Sequence, residues 1–432
     1  MAAKKEESFY SFLRPLALII RVSGMFPLSG SHNRNGDRTS YRFLSLDTAW
    51  CFILLVSMMV LLKLAASFKV LFFIQQKENF WEAVMAHFVT IQSLLNFFFI
   101  QLGARHVPKL IWNLEEFYSK KRQAFPDSPE MRQFTCKYLP LLFVLLTVLV
   151  IEIEQYYFCE YLTPGTFHAQ LVTYILFALL GTWQYFPLIV FIYLCFVIQK
   201  QFYEVKAITR RVLAPLRRDD AEATVDVTEE LDRARLLHSL LSSAVRRLTL
   251  AYGELVAVDF VAVMVVFVLD LYMYISFAEQ KRMAPLMFMF INGFFAFLVA
   301  TTAQGITDSE VYPHLRGERE KLWENHSQYV RKGLDHNLPV IGSLVYCESS
   351  ALDHANSVVQ DLRMVPVSRL SPKNQAEVHM FMSQIVACPV HVSAAGYFVV
   401  GKTQITAILS SVATYLIVMI QFSPFLKQLT MR

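Results

Sequence analysis

Seven stretches of this sequence are apolar over about the 20 residues a helix needs to cross the hydrocarbon core of a bilayer, and they decide the fold class before any motif is read. They fall at about Leu44–Val70, Phe80–Leu102, Tyr138–Phe158, His168–Ile198, Leu248–Phe277, Pro285–Ile306 and Gln404–Phe422. Lipid offers backbone N–H and C=O groups no partners, so each stretch must close its own hydrogen bonds as a helix. Composition agrees: 55% of residues are hydrophobic and 17% charged, where soluble domains carry about 25% charged residues. The 432 residues therefore read as an all-α polytopic membrane protein with seven spans, not as two or three soluble domains. Phe9–Ile20 is short, is broken by Arg14 and Pro15, and lacks a small-residue cleavage site. It reads as an interfacial helix and not as a signal peptide.

Basic residues sort by loop. Of 40 Lys and Arg, 7 precede Leu44, 7 lie in Gly103–Lys137, 10 in Gln199–Arg247 and 8 in Ile306–Val400. The alternate loops hold Lys77, none, and Lys281 with Arg282. The positive-inside rule then places the N-terminus in the cytoplasm and, after seven crossings, the C-terminus outside. The net charge of +5 reflects loops facing anionic lipid and not nucleic acid. The Asp/Glu/Thr-rich stretch after Arg217-Arg218 reads as a solvated loop. The six cysteines lack metal-ligand spacing, only Cys159 approaches the outside, and no cofactor is expected. The sequon at Asn325 falls on the cytoplasmic side.

The last apolar stretch ends unusually, as Thr414-Tyr415, five apolar residues and Gln421-Phe422, just before Pro424. This pattern resembles the C-terminal signature of insect gustatory receptors. Ala394-Ala395-Gly396-Tyr397-Phe398 resembles the Gly-aromatic-Phe element that precedes the last span in that family, and Gly24-Met25-Phe26-Pro27 its opening segment. The resemblance implies a ligand-gated, non-selective cation channel, a homotetramer or a heterotetramer with related receptors, with a central pore lined by the last helix. It further implies a peripheral ligand-binding bundle and a cytoplasmic anchor helix, here about Gln375–Cys388. The expected organisation is a cytoplasmic segment at 1–43, a six-helix bundle at 44–306, a cytoplasmic loop and anchor at 307–400, the pore helix at 401–423, and an extracellular tail at 424–432.

Within the last span, Thr403, Thr406, Ser410, Thr414, Ile417 and Gln421 are spaced 3, 4, 4, 3 and 4 apart, which puts them on one helical face. A hydroxyl and amide stripe suits a wet conduit; the alternative is close helix packing inside one subunit. Thr414, Ile417, Gln421 and Phe422 are the candidate pore and gate residues, with Phe422 closing the outer end by dewetting or else anchoring at the membrane interface. Tyr415 lies off the stripe and reads as a packing residue. The helix is expected to stop at Pro424.

Polar groups inside spans mark the candidate ligand site. These are Glu152 and Tyr156 in the third span, Trp183 and Gln184 in the fourth, Asp270 and Tyr274 in the fifth, and Asn292 in the sixth. Gln92, Asn96 and Asp259 share the pattern, and Asp259 could instead couple binding to gating. Carboxylates and amides beside flat rings suit a polyhydroxylated ligand, and a bundle-fixing network is the alternative. The reading is a chemosensory cation channel of the plasma membrane opened by a small tastant, most simply a sugar. Bitter or other polar ligands remain open. A G-protein-coupled receptor would need the opposite orientation, and Asp-Arg-Tyr after span three and Asn-Pro-x-x-Tyr in span seven are missing. An enzyme would need a nucleophile–base or metal constellation, and none converges.

Overall fold

A computed structural model of the chain describes residues 28–29, 40–41, 46–67, 80–126, 167–217, 227–276, 284–309 and 370–430, with positions 362 and 365. Two short strands, β1 (Leu28–Ser29) and β2 (Ser40–Tyr41), pair antiparallel. The helices are α1 (Leu46–Ser67), α2 (Phe80–Gly103), α3 (Val107–Ala124), α4 (Phe167–Leu213), α5 (Thr228–Ser276), α6 (Ala284–Ser309), α7 (Pro372–Ala387) and α8 (Lys402–Thr430). Between α7 and α8 lies a hairpin of β3 (Ser393–Ala394) and β4 (Phe398–Val399).

Six of the seven expected spans correspond to α1, α2, α4, α5, α6 and α8. The span at Tyr138–Phe158 and the interfacial helix at Phe9–Ile20 lie outside the described residues. Length separates α4 and α5 from the rest. Their 47 and 49 residues reach about 70 Å at 1.5 Å per residue, more than twice the hydrocarbon thickness. Their apolar halves form spans, and their charged halves project together past the bundle at its basic end.

Helix α5 is the hub, packed against α2, α3, α4, α6, α7 and α8. At the basic end α4, α5 and α7 are locked by specific contacts. The His238 ring sits between Phe202 and Phe381, with centroids 5.6 and 5.7 Å away. Thr228 donates to the Asn374 side chain at 2.8 Å, and Arg235 lies 3.6 Å from Glu377. A part-buried Lys121–Glu204 ion pair ties α3 to α4. Helix α7 starts where its sequence says it should: Ser371 caps it by accepting from the Asn374 N–H at 3.3 Å, and Pro372 occupies the first turn. It overlaps the helix expected at about Gln375–Cys388, with its bounds moved by a few residues.

The hairpin fixes the base of α8. The connection has three residues, Ala395 to Tyr397; Ala395 and Gly396 both have positive φ, +52° and +83°, and the Tyr397 N–H closes the turn by donating to the Ala394 carbonyl at 2.9 Å. The Ser393 hydroxyl accepts from the Gly396 N–H at 2.9 Å. A glycine in α5 makes room for this turn: a β-carbon at Gly253 would sit 2.7 Å from the Ala395 nitrogen and 2.9 Å from the Ser393 oxygen. Phe398 meets Phe260 of α5 edge-on at 5.8 Å, and Gly401 lets the Gln304 amide of α6 come in against the chain.

Contrary to the expected stop at Pro424, α8 runs through it to Thr430. A proline removes one backbone N–H and crowds the preceding turn, but the helix resumes when the following residues keep their own i→i−4 bonds. Helix α4 runs through Pro187 in the same way.

Candidate functional site

One polar layer crosses the apolar part of the bundle. Gln92 on α2, Gln184 on α4, Asp259 on α5 and Asn292 on α6 are each at most 2% exposed. Four helices thus send one polar side chain each to the same level. The hydrogen bonds run in one direction. The Gln184 amide N–H donates to Gln92 Oε1 at 3.5 Å and to Asn292 Oδ1 at 3.2 Å. Gln92 Nε2 donates to Asp259 Oδ1 at 3.3 Å, and Asn292 Nδ2 donates to the Phe288 carbonyl at 2.9 Å.

The layer is incompletely satisfied. Gln184 Oε1 and Asp259 Oδ2 are buried with no hydrogen-bond partner among the described residues. The same holds for both amide atoms of Asn96, one turn further along α2 and fully buried. Buried polar atoms of this kind cost roughly 1–3 kcal/mol each when left unmet. Trp183 is 1% exposed, its ring covered by Phe97 at a centroid distance of 4.3 Å, so it walls the layer instead of offering a free stacking face.

Of the candidate ligand-site residues Trp183, Gln184, Asp270, Tyr274 and Asn292, the structure brings two into direct contact. Gln184 and Asn292 meet. Asp270 does not join them, although it is buried and its Oδ2 also lacks a partner among the described residues. Helical rise sets it about 16 Å from Asp259 along α5. A packed apolar layer of Val89, Val266 and Phe288 lies in the intervening turns. Tyr274, one turn beyond Asp270, is 43% exposed. Glu152 and Tyr156 lie outside the described residues. Gln92, which shares the pattern in sequence as one of two amides a turn apart on its helix, links Asp259 to Gln184.

The second candidate region is α8. Its packed side comprises Ile405, Ile408, Val412, Leu416 and Met419, of which only Val412 is fully buried. Thr403, Thr406, Ser410, Thr414, Ile417 and Gln421 are all exposed. At 100° per residue this stripe lies roughly 180° from the packed side. Among the described residues, no element of the chain packs over these hydroxyls. Thr406 donates to the Thr403 carbonyl at 2.8 Å and Thr414 to the Ser410 carbonyl at 3.0 Å. Their protons face the backbone and their lone pairs face outward. Tyr415, expected to pack, is 54% exposed. Phe422 belongs to α8, with its side chain outside the described residues.

The fold is shared with solved structures. The insect olfactory receptor OR5 from Machilis hrabei superposes with a TM-score of 0.59 at 13% identity, covering 95% of this chain and 99% of that one. The same receptor in complex with eugenol superposes at 0.58 and 13% identity, covering 96% and 98%. No curated protein sequence matches the chain. The 7tm Chemosensory receptor family matches residues 13–307 and 338–425, nearly the whole length. The chain belongs to this family, which includes the insect gustatory and olfactory receptors, and is a multi-pass membrane receptor and not an enzyme.

Proposed function

We propose that this protein is a gustatory receptor acting as a ligand-gated, non-selective cation channel, opened by a small polar tastant and most simply by a sugar. The observation that carries the reading is the stripe of α8, turned away from the chain's own bundle and lined by outward-facing hydroxyl lone pairs. Arranged around an axis, four such helices would enclose a conduit that attracts cations without an acidic ring. In this reading Thr414, Ile417, Gln421 and Phe422 form the outer pore and gate. The N-terminus is cytoplasmic, and the assembly is a tetramer of this chain or of this chain with related receptors in a sensory-neuron plasma membrane.

The ligand enters from the outer end. Asp270 and Tyr274 line its approach, and Gln184 and Asn292, walled by Trp183, receive it. Supporting this division, the inner layer is polar on all four contributing helices and is separated from Asp270 by an apolar layer. Glu152 and Tyr156 would complete the approach from the third span. The test is expression of the chain in a cell lacking other receptors. Ligand-evoked current should persist when G-protein signalling is blocked, and current that vanishes under the block would sink the channel reading.

A further inference from the structure

Resting on the cytoplasmic orientation of the N-terminus proposed above, we infer that the groove between the α2–α3 junction and α5 binds the headgroup of a multiply phosphorylated lipid of the inner leaflet, held by Arg105, Lys109 and Arg247. Two fixed points build the groove. At one end α2 and α5 cross with no room for a side chain: a β-carbon on Gly103 would lie 1.9 Å from the Ala251 carbonyl oxygen. At the other the Asn113 side-chain amide donates to the Ser243 hydroxyl at 2.9 Å. Between them lie Arg105, His106 and Lys109 on one side and Arg246 and Arg247 on the other. Arg105, Lys109 and Arg246 are exposed, and His106 and Arg247 are half-buried. Arg105 Nε donates to His106 Nε2 at 3.1 Å, which draws the guanidinium toward the imidazole.

Like charges gathered this closely favour an anion among them. Among the described residues none of Arg105, Lys109, Arg246 and Arg247 forms an ion pair with a carboxylate, whereas Lys120, Lys121, Arg233 and Arg235 all do. Of the carboxylates nearest in sequence on these helices, Glu116 is held by Lys120, and Glu254 lies on the lipid side of the Ala251 crossing. Burial and the charges of Arg105, Arg247 and Lys109 together hold the His106 imidazole below its ordinary range. At 1.5 Å per residue, Arg105, Arg247 and Lys109 lie about 3, 6 and 9 Å beyond the crossing. That is headgroup depth when the apolar run ending at Leu102 fills the hydrocarbon. Leu102 and Leu250, each 47% exposed on the lipid side of the cations, offer a seat for acyl chains, which a free phosphate would leave unused. The Arg forks can each engage two phosphate oxygens, and Lys109 adds a point charge. A single phosphodiester brings one negative charge; three cations match a headgroup carrying further phosphates.

The experiment is native mass spectrometry of the full chain, purified in detergent, with dioctanoyl phosphatidylinositol bisphosphate, dioctanoyl phosphatidylserine or inositol trisphosphate added. The bisphosphate lipid should bind tightest. Arg247→Gln combined with Lys109→Gln should weaken it by about tenfold or more, each cation near the surface counting for roughly fivefold. Arg233→Gln, in a residue paired with Glu229 and about 21 Å along α5 from Arg247, lies beyond a Debye length and should change binding by less than about twofold. Without lipid the double variant should melt at the same temperature or higher, because it relieves like-charge repulsion. A clear fall in its midpoint marks the cations as structural and overturns the inference. Phosphatidylserine binding as tightly as the bisphosphate lipid, or Arg233→Gln weakening it as much as the double variant, overturns the site in favour of diffuse surface charge. Inositol trisphosphate binding as tightly overturns the lipid assignment. Binding is scored without tastant or current, so its failure leaves the channel reading standing, and a silent channel leaves the lipid site standing.

Discussion

Helices α5 and α8 are both apolar enough to span a membrane, yet the bundle treats them oppositely. Helix α5 touches nearly every other helix, and its polar groups Asp259 and Asp270 point into protein. Among the described residues, helix α8 touches α5 and α6 along one narrow line and most of its surface is left uncovered. Polarity distinguishes two meanings of exposure here. An exposed apolar residue such as Phe52 on α1 or Phe290 on α6 suits lipid, which dissolves it without cost. A row of Thr, Ser and Gln facing lipid would be poorly solvated. The uncovered polar face of α8 therefore calls for water or another protein surface, whereas the buried polar layer of α5 calls for a partner inside one subunit.

If that contrast is right, the largest stability losses lie in the bundle. Trp183→Ala empties a fully buried site beside Phe97 and should cost about 3–5 kcal/mol, read as a large drop in thermal midpoint and in monodisperse protein. A tolerated Trp183→Ala would mean that the region around the polar layer is looser than its packing indicates. Gly253→Ala comes next. The new methyl group would press on the Ala395 backbone, costing about 1–3 kcal/mol by overpacking. Because the strain falls on the hairpin beneath α8, gating should shift along with stability, which a thermal melt and a current–dose curve on the same variant would reveal. Ser371→Ala removes only the cap of α7, worth about 1 kcal/mol. Its effect should appear as a modest fall in midpoint with an unchanged unitary conductance.

The same contrast explains what could be read from the sequence and what could not. Apolar run length located α1, α2, α4, α5, α6 and α8, because bilayer thickness sets a physical length scale. Spacing of 3 and 4 put the α8 stripe on one face, because helical geometry is local. Hydropathy is silent past the lipid, so the continuation of α4 to Leu213 and the start of α5 at Thr228 had no signal of that kind. Periodicity also gives a residue's face but not its depth relative to another helix. That is why Asp270 looked like a neighbour of Gln184, and why the Gln92–Asp259 hydrogen bond, 167 residues apart in sequence, went unassigned. Pro424 misled for a third reason: its local preference for ending a helix was outweighed by the residues that follow it.

The smallest expected effect on stability is the sharpest test of the comparison. Thr414→Ala and Gln421→Ala change exposed positions on the face of α8 that no other described element of the chain covers, so each protomer should unfold within about 0.5 kcal/mol of the original. Thr414 even surrenders only a hydrogen bond to its own helix, the one to the Ser410 carbonyl. Under a purely structural role for this helix, such variants would be silent in every assay. Under the pore reading they remove a lone pair at Thr414 and a neutral amide at Gln421 from the conduit wall, and unitary conductance or open probability should change while surface expression stays level. Single-channel recording with surface labelling of the same cells separates the two. Unaltered currents from both variants would return the stripe to lipid or to an inert subunit contact, and the contrast between α5 and α8 would then concern packing alone.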